Sequence, residues 1–169
     1  AQSIMAQTLG GTEEPGLVLL EAPTGLGKTE AALICAEILE QKCNVRGIYF
    51  ALPTQSSTNQ IFERVISWLR KRSNLSKVEL AHSNAWLNPI YQEVIKGNIE
   101  QIQWDPYNLN TKEELFADNI VGTIDRILKM SVKHRYVTMR HAGIAQKTVI
   151  IDEVHACDEY MQVYLSNAL

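Results

Sequence analysis

No stretch of this sequence approaches the roughly 18 unbroken apolar residues that a membrane-spanning helix needs, so no segment is expected to cross a bilayer. Cysteine is scarce: Cys35, Cys43 and Cys157 are the only three, and none forms a C-x-x-C pair. An odd count without ligand spacing argues against a disulfide framework or a cysteine zinc site, and for packed or free thiols in a reducing cytoplasm. Internal repeats and low-complexity tracts are also missing, which sets aside solenoids and flexible linkers. Residues 1–11 carry no basic run ahead of an apolar one, so they do not read as a signal peptide. The sequence opens on Ala1 rather than Met, as expected of a cut inside a longer protein or of a trimmed start.

An excess of positive charge is lacking too. The chain has 16 Lys and Arg against 19 Asp and Glu, a net charge of −3, so the domain as a whole is no general polyanion binder. Acids, however, are absent locally. Residues 126–147 carry Arg126, Lys129, Lys133, Arg135, Arg140 and Lys147 with no Asp or Glu, and residues 64–77 carry Arg64, Arg70, Lys71, Arg72 and Lys77 likewise. Two positive stripes on a mildly acidic domain suit a groove that follows a phosphate backbone; a solvated helix face is the plainer alternative.

What is present is an ordinary globular composition, 46% apolar and 21% charged over 169 residues, enough for one domain with a sizeable core. Short apolar runs alternate with helical patterns. Residues 17–20 read as a buried strand, 28–41 as a helix, 48–52 as a strand closed by Pro53, and 54–68 as a helix with Ile61, Val65, Trp68 and Leu69 on one face. A third strand is expected at 78–81, a short helix at 91–96, a strand at 120–121 and a helix at 123–130. The β-branched run 148–151 reads as a strand, and 160–169 as a helix. Residues 83–116, polar and aromatic with Trp86, Tyr91, Trp104 and Tyr107, read as an excursion from the sheet. This alternation predicts an α/β fold, a mainly parallel sheet with helices on both faces, whose ligands bind at the carboxyl ends of the strands.

The chemistry concentrates at two places. Ala22-Pro23-Thr24-Gly25-Leu26-Gly27-Lys28-Thr29 is the P-loop pattern with Ala22 in the first glycine position. Polyphosphate oxygens need several backbone N–H donors at once. Gly25 and Gly27 permit the backbone angles of such a nest, and the following helix turns its positive end to the anion. Lys28 offsets phosphate charge, and the Thr29 hydroxyl is placed to ligate magnesium. A glycine-rich turn capping a strand is the bland alternative. The second place is Asp152-Glu153-Val154-His155, directly after Val149-Ile150-Ile151. Opposite a P-loop, Asp152 is expected to hold magnesium through its water shell and Glu153 to act as general base. His155 is expected to link the nucleotide site to a nucleic-acid site.

With these residues in view the chain resembles the DExH group of superfamily 2 helicases. More narrowly it resembles the helicase part of the CRISPR-associated helicase-nuclease of type I systems. The resemblance rests on Glu21 through Ala32, Ala51-Leu-Pro-Thr-Gln55, Val121-Gly-Thr-Ile-Asp125 and Val149 through Ala156 with Asp158 and Met161; Lys133-His134-Arg135 also fits. It covers most of the chain, from about Gly16 to Met161. It implies a three-layer RecA-like domain, the first of two, spanning 1–169 and incomplete at its C-terminus. It further implies ATP and magnesium as cofactors, single-stranded DNA as partner, and a CRISPR RNA-guided surveillance complex as the assembly served. Pro53, Thr54, Gln55, Gly122, Thr123 and Asp125 take the positions of strand-binding motifs; Thr54 and Thr123 also stand where helix N-caps belong.

Several parts of the family's machinery are not recognisable. They are the glutamine motif that reads adenine, for which Gln2 and Gln7 are the only candidates upstream, the Ser-Ala-Thr motif, the second RecA-like domain with its arginines, and the metal-dependent nuclease domain. His82, His134, His141 and His155 are scattered and do not form the nuclease ligand set. Little turnover is therefore expected of this chain alone. The other readings open at this point are a different superfamily 2 ATPase, either a translocase or an RNA helicase, and a nucleotide-binding regulatory module.

Overall fold

The computed structural model describes residues 2–11, 16–23, 25–72, 76–97, 102–103, 114–129 and 137–168. In chain order the elements are α1 (Gln2–Leu9), α2 (Lys28–Lys42), β1 (Ile48–Leu52), α3 (Gln55–Arg70), β2 (Ser76–Ala81), α4 (Pro89–Ile95), β3 (Ile102–Gln103), β4 (Asn119–Thr123), α5 (Ile124–Leu128), α6 (Val137–Ile144), β5 (Thr148–Ile151) and α7 (Glu159–Ala168). The five strands pair in the order β3-β2-β4-β1-β5, every pair parallel.

A parallel strand covered on both faces has no polar side, so it reads as an unbroken apolar run. The central β1, Ile-Tyr-Phe-Ala-Leu, is buried at every position. Its alternate side chains feed two cores. Ile48, Phe50 and Leu52 pack with Leu33 of α2, Phe62, Val65 and Leu69 of α3, and Tyr91 of α4. Tyr49 and Ala51 face Ile124, Ile127 and Leu128 of α5 and Leu165 of α7, with Ile144 of α6 at the margin. Helices thus cover both faces in three layers, as the alternation predicts. Met5 and Leu9 bind α1 to α2 through Cys35.

Inside the sheet, β4 leaves no room at Gly122. A methyl there would lie 2.6 Å from the Tyr49 hydroxyl and 2.9 Å from Ala81 Cβ. Tyr49 in turn donates to the Thr123 carbonyl at 3.4 Å, and burial pushes its hydroxyl well above the usual phenol range.

Strands β1 and β5 match expectation, and the helices agree to within a turn. One expected strand is absent. Residues 16–23 have no regular structure, and Leu17 and Leu19 are 78% and 82% exposed. Apolar character marks a segment for burial but supplies no ladder partner. Among the described residues β5 ends the sheet, with nothing hydrogen-bonded along its outer side. Helices α1 and α6 carry weak amphipathic patterns and were not expected. Trp104 and Tyr107, Met130, and the Lys133-His134-Arg135 segment lie outside the described residues.

Candidate functional site

Parallel strands all end at one edge of the sheet, and the chemistry-bearing residues gather there. Helix α2 ends at Lys42 and turns into β1 at Ile48, so it runs antiparallel to the strands. Its 15 residues extend about 22 Å, more than the roughly 17 Å of a five-residue strand. Its first turn, with Lys28 and Thr29, therefore belongs to the same edge as Asp152 after β5, Pro53 after β1 and Thr123 at the end of β4. Leu33 of α2 and Ile150 of β5 share one core, which holds the helix against that strand.

The turn before α2 has the form its glycines predict. Gly25 and Gly27 sit at φ 83° and 73°, the left-handed region that glycine enters without penalty. Gly27 caps α2 with no side-chain bond, leaving the first N–H groups of the helix to a ligand. Lys28 Nζ donates to the Ala22 carbonyl at 2.8 Å, folding back across the loop. Thr29 is buried and accepts a bond from Arg64 Nη1 at 3.3 Å. Pro23, Gly25 and Leu26 are exposed, Ala22 is half-buried, and Thr24 lies outside the described residues. The Gln2 amide nitrogen is 3.2 Å from the point a Cβ on Gly27 would occupy, so Gln2 borders the loop.

At the end of β5, the Asp152 amide continues the ladder to Ala51 at 3.1 Å. Asp152 Oδ1 then accepts the Glu153 amide at 2.8 Å. Glu153 has φ 54° and ψ 38°, a left-handed conformation that a glutamate adopts only under constraint. The constraint is visible on both sides: the ladder bond at Asp152 before it, and a 3-10 turn over Val154–Ala156 after it, closed by Ala156 N–H on the Glu153 carbonyl at 2.8 Å. Glu153 itself is exposed. His155 is exposed.

A cavity of about 510 Å³ opens at the ends of β1, β2 and β4, lined by Pro53, Thr54, Gln55, His82, Ser83, Thr123, Asp125, Arg126 and Lys129. Five of the six residues expected to meet a strand therefore line one cavity. Gly122 does not, and its role is to let β4 pack. Thr54 caps α3, its hydroxyl accepting Ser57 N–H at 3.2 Å. Thr123 makes no such capping bond, so its hydroxyl is not used up by α5.

The sequence reading gives His82 no role here and does not single out Ser83 or Asn84, although all three directly follow a recognised strand. Here Gln55 Nε2 donates to Ser83 Oγ at 3.0 Å and Asn84 Nδ2 donates to Gln55 Oε1 at 3.0 Å, so the carboxamide is fixed at both ends. His82 is buried. Its Nδ1 accepts the Asn84 amide at 3.3 Å and its Nε2 meets Asn59 Oδ1 at 3.0 Å. Those bonds define a neutral ring, and burial, with Arg126 nearby, holds its pKa below the usual histidine range. Burial also lowers the pKa of Arg126 itself. Lys129 pairs with Asp125 at 3.6 Å. Burial raises the Cys35 and Cys157 thiols above the ordinary thiol range.

The family model for DEAD/DEAH box helicases matches residues 2–167. The chain belongs to that family. Among curated proteins it is similar to the CRISPR-associated nuclease/helicase Cas3 of Streptococcus thermophilus, 38% identical over 99% of this chain and 19% of the relative. The CRISPR-associated endonuclease/helicase Cas3 of Escherichia coli is 34% identical over 92% of this chain and 18% of the relative. Among solved structures, the T. fusca Cas3-ATP crystal structure superposes with a TM-score of 0.88 at 35% identity, covering 99% of this chain and 19% of that one. These relatives bear out the resemblance read from the motifs, and the fold is the RecA-like α/β domain it implied. The chain spans about a fifth of the length of the curated relatives it matches. Among the described residues no helix is long and apolar enough to cross a membrane.

Proposed function

We propose that this chain is the ATP-binding motor domain of an ATP-dependent single-stranded-DNA helicase or translocase of type I CRISPR interference. The observation that carries the reading is the shared edge. The glycine turn with Lys28 and Thr29, the acidic end of β5 and the cavity of Thr54, Gln55 and Thr123 all open on the carboxyl ends of the strands.

In this reading the amides of the turn and the start of α2 receive the phosphates. Lys28 leaves the Ala22 carbonyl to meet phosphate oxygens, which offer it charge as well as a hydrogen bond. Gln2, bordering Gly27, is the proposed adenine contact. Thr29 and Asp152 offer the hard hydroxyl and carboxylate oxygens that suit magnesium; a bound ion would screen the phosphate charge. Glu153, exposed at the end of β5, orients the attacking water and takes its proton. His155 links the nucleotide to the strand. Strand phosphates are received by Thr54, Thr123 and the first amides of their helices, with Arg126 and Lys129 supplying charge.

Similarity to the Cas3 proteins supports a second RecA-like domain and a nuclease domain of the same protein as partners, with a CRISPR RNA-guided surveillance complex delivering the DNA in the cytoplasm. An arginine from a second domain is worth about 10³ or more in rate, so the chain alone is proposed to bind nucleotide and turn it over poorly.

Titration with an ATP analogue tests this. Lys28→Ala is expected to weaken binding by about tenfold or more, since it removes a charge-assisted contact. Equal affinity for wild type and variant would retire the ATPase reading. Stimulation by DNA but not RNA, and strand separation by the complete protein, would separate a DNA helicase from a translocase or an RNA helicase.

A further inference from the structure

Helices α2 and α3 lie side by side and run the same way. Two ion pairs join them, Glu30 to Arg64 near the start of α2 and Glu40 to Arg72 near its end. The second pair is a packing device, because Arg72 also stacks on Trp68, 4.6 Å from the ring centre.

The first pair is different. Arg64 divides its guanidinium: Nη2 meets the Glu30 carboxylate, and Nη1 donates to Thr29 Oγ1 at 3.3 Å. Both partners belong to the first turn of α2, and Thr29 adjoins Lys28. The helix that carries Arg64 begins at Gln55, capped by Thr54, and both residues line the cavity. One end of α3 therefore stands in the groove, and nine residues on it holds the threonine of the phosphate loop. Such a segment is about 13 Å of continuous helix, stiff enough to pass a displacement of one end to the other. The pair is half-exposed on both sides, and exposed pairs contribute little to stability. What Arg64 holds in place is the loop.

We propose that Arg64 is a positioning residue that couples the strand groove to the phosphate loop. A strand seated on Thr54 and Gln55 shifts α3, and Arg64 carries the shift to Thr29 and Glu30, changing the affinity for nucleotide. The coupling is reciprocal, so nucleotide changes the affinity for the strand by the same factor. The role asks for arginine in particular. Its planar fork reaches a carboxylate and a hydroxyl at once, whereas lysine offers a single point charge. This inference rests on the reading of the cavity as a strand site and of the loop as a nucleotide site.

The test measures the affinity of the chain for a fluorescent ATP analogue, with and without saturating oligothymidylate. Wild type should show affinities that differ by about fivefold or more. In Arg64→Gln and Arg64→Lys the two affinities should converge, while both ligands still bind and the melting temperature stays near that of wild type. Should Arg64→Gln fail to fold, Arg64→Lys and Glu30→Gln, which severs the same contact from α2, carry the comparison. Variants that keep the wild-type ratio would overturn the role of Arg64 alone. A natively folded Arg64→Lys that no longer binds nucleotide would make Arg64 a ligand contact and overturn the coupling role. Wild type that binds both ligands with no mutual effect would do the same. Wild type that ignores the oligonucleotide would sink the strand reading and this inference together.

Discussion

Glu153 occupies a backbone conformation that its side chain disfavours. Only Asn44 shares positive φ with it among the described non-glycine residues, and asparagine tolerates that region far better. Glu153→Gly is expected to raise stability by about 0.5 to 1 kcal/mol, the relief of the left-handed glutamate partly offset by a freer unfolded chain. Denaturant midpoints measure it. Glu153→Gln keeps the backbone and removes the proposed base, so ATP binding should persist while turnover in the complete protein falls about 10² or more. The acid pair was legible in sequence because two carboxylates after a β-branched run are conspicuous. Its strained backbone was not, since φ at Glu153 is imposed by the ladder bond on one side and the 3-10 turn on the other.

His82 makes the second case at this scale. Its native pKa is lowered, first by burial and then by Arg126, so the folded chain binds its proton less readily than the unfolded chain does. The stabilisation from the neutral ring is complete above the unfolded value, about 6.5. It is lost as pH falls through that value toward the folded one. Melting temperature should therefore drop on acidification from about pH 6.5, and His82→Gln should flatten that part of the profile relative to wild type. In sequence His82 looked like one scattered histidine of four. Its bond to Asn59 exists only once α3 and the end of β2 meet.

Elements that carry their own periodicity were readable. α3 places Ile61, Phe62, Val65, Ile66 and Leu69 in the core, the spacing of one helical face. Phe62 is fully buried and meets Tyr91 edge-on, ring centres 5.8 Å apart. Phe62→Ala should cost about 3 to 5 kcal/mol, read from the denaturation midpoint. In β4, Gly122→Ala must push against Tyr49 and Ala81, an overpacking worth about 1 to 3 kcal/mol. Its effect should appear in stability before it appears in strand binding. The expected strand at 17–20 failed for a reason local pattern cannot contain: a strand is defined by its neighbour, and no described residue pairs with the outer edge of β5.

For the molecule as a whole, a ligand that binds only the folded state stabilises it by mass action. An ATP analogue at about a hundredfold excess over its Kd should add about 2.7 kcal/mol, seen as a higher melting temperature in wild type and largely absent in Lys28→Ala. The sequence by itself determined the two motifs, Gly25 to Thr29 and Asp152-Glu153, from which the site is proposed, and the parallel α/β layering, because both are written in contiguous residues and short periods. Only the tertiary structure decided which scattered side chains join them. Ser83 and Asn84 clamp Gln55, Arg64 crosses from α3 to Thr29, and Gly122 yields its space to Tyr49. Those relations link residues tens of positions apart, and they come into being only when the strands align and bring their carboxyl ends to one edge.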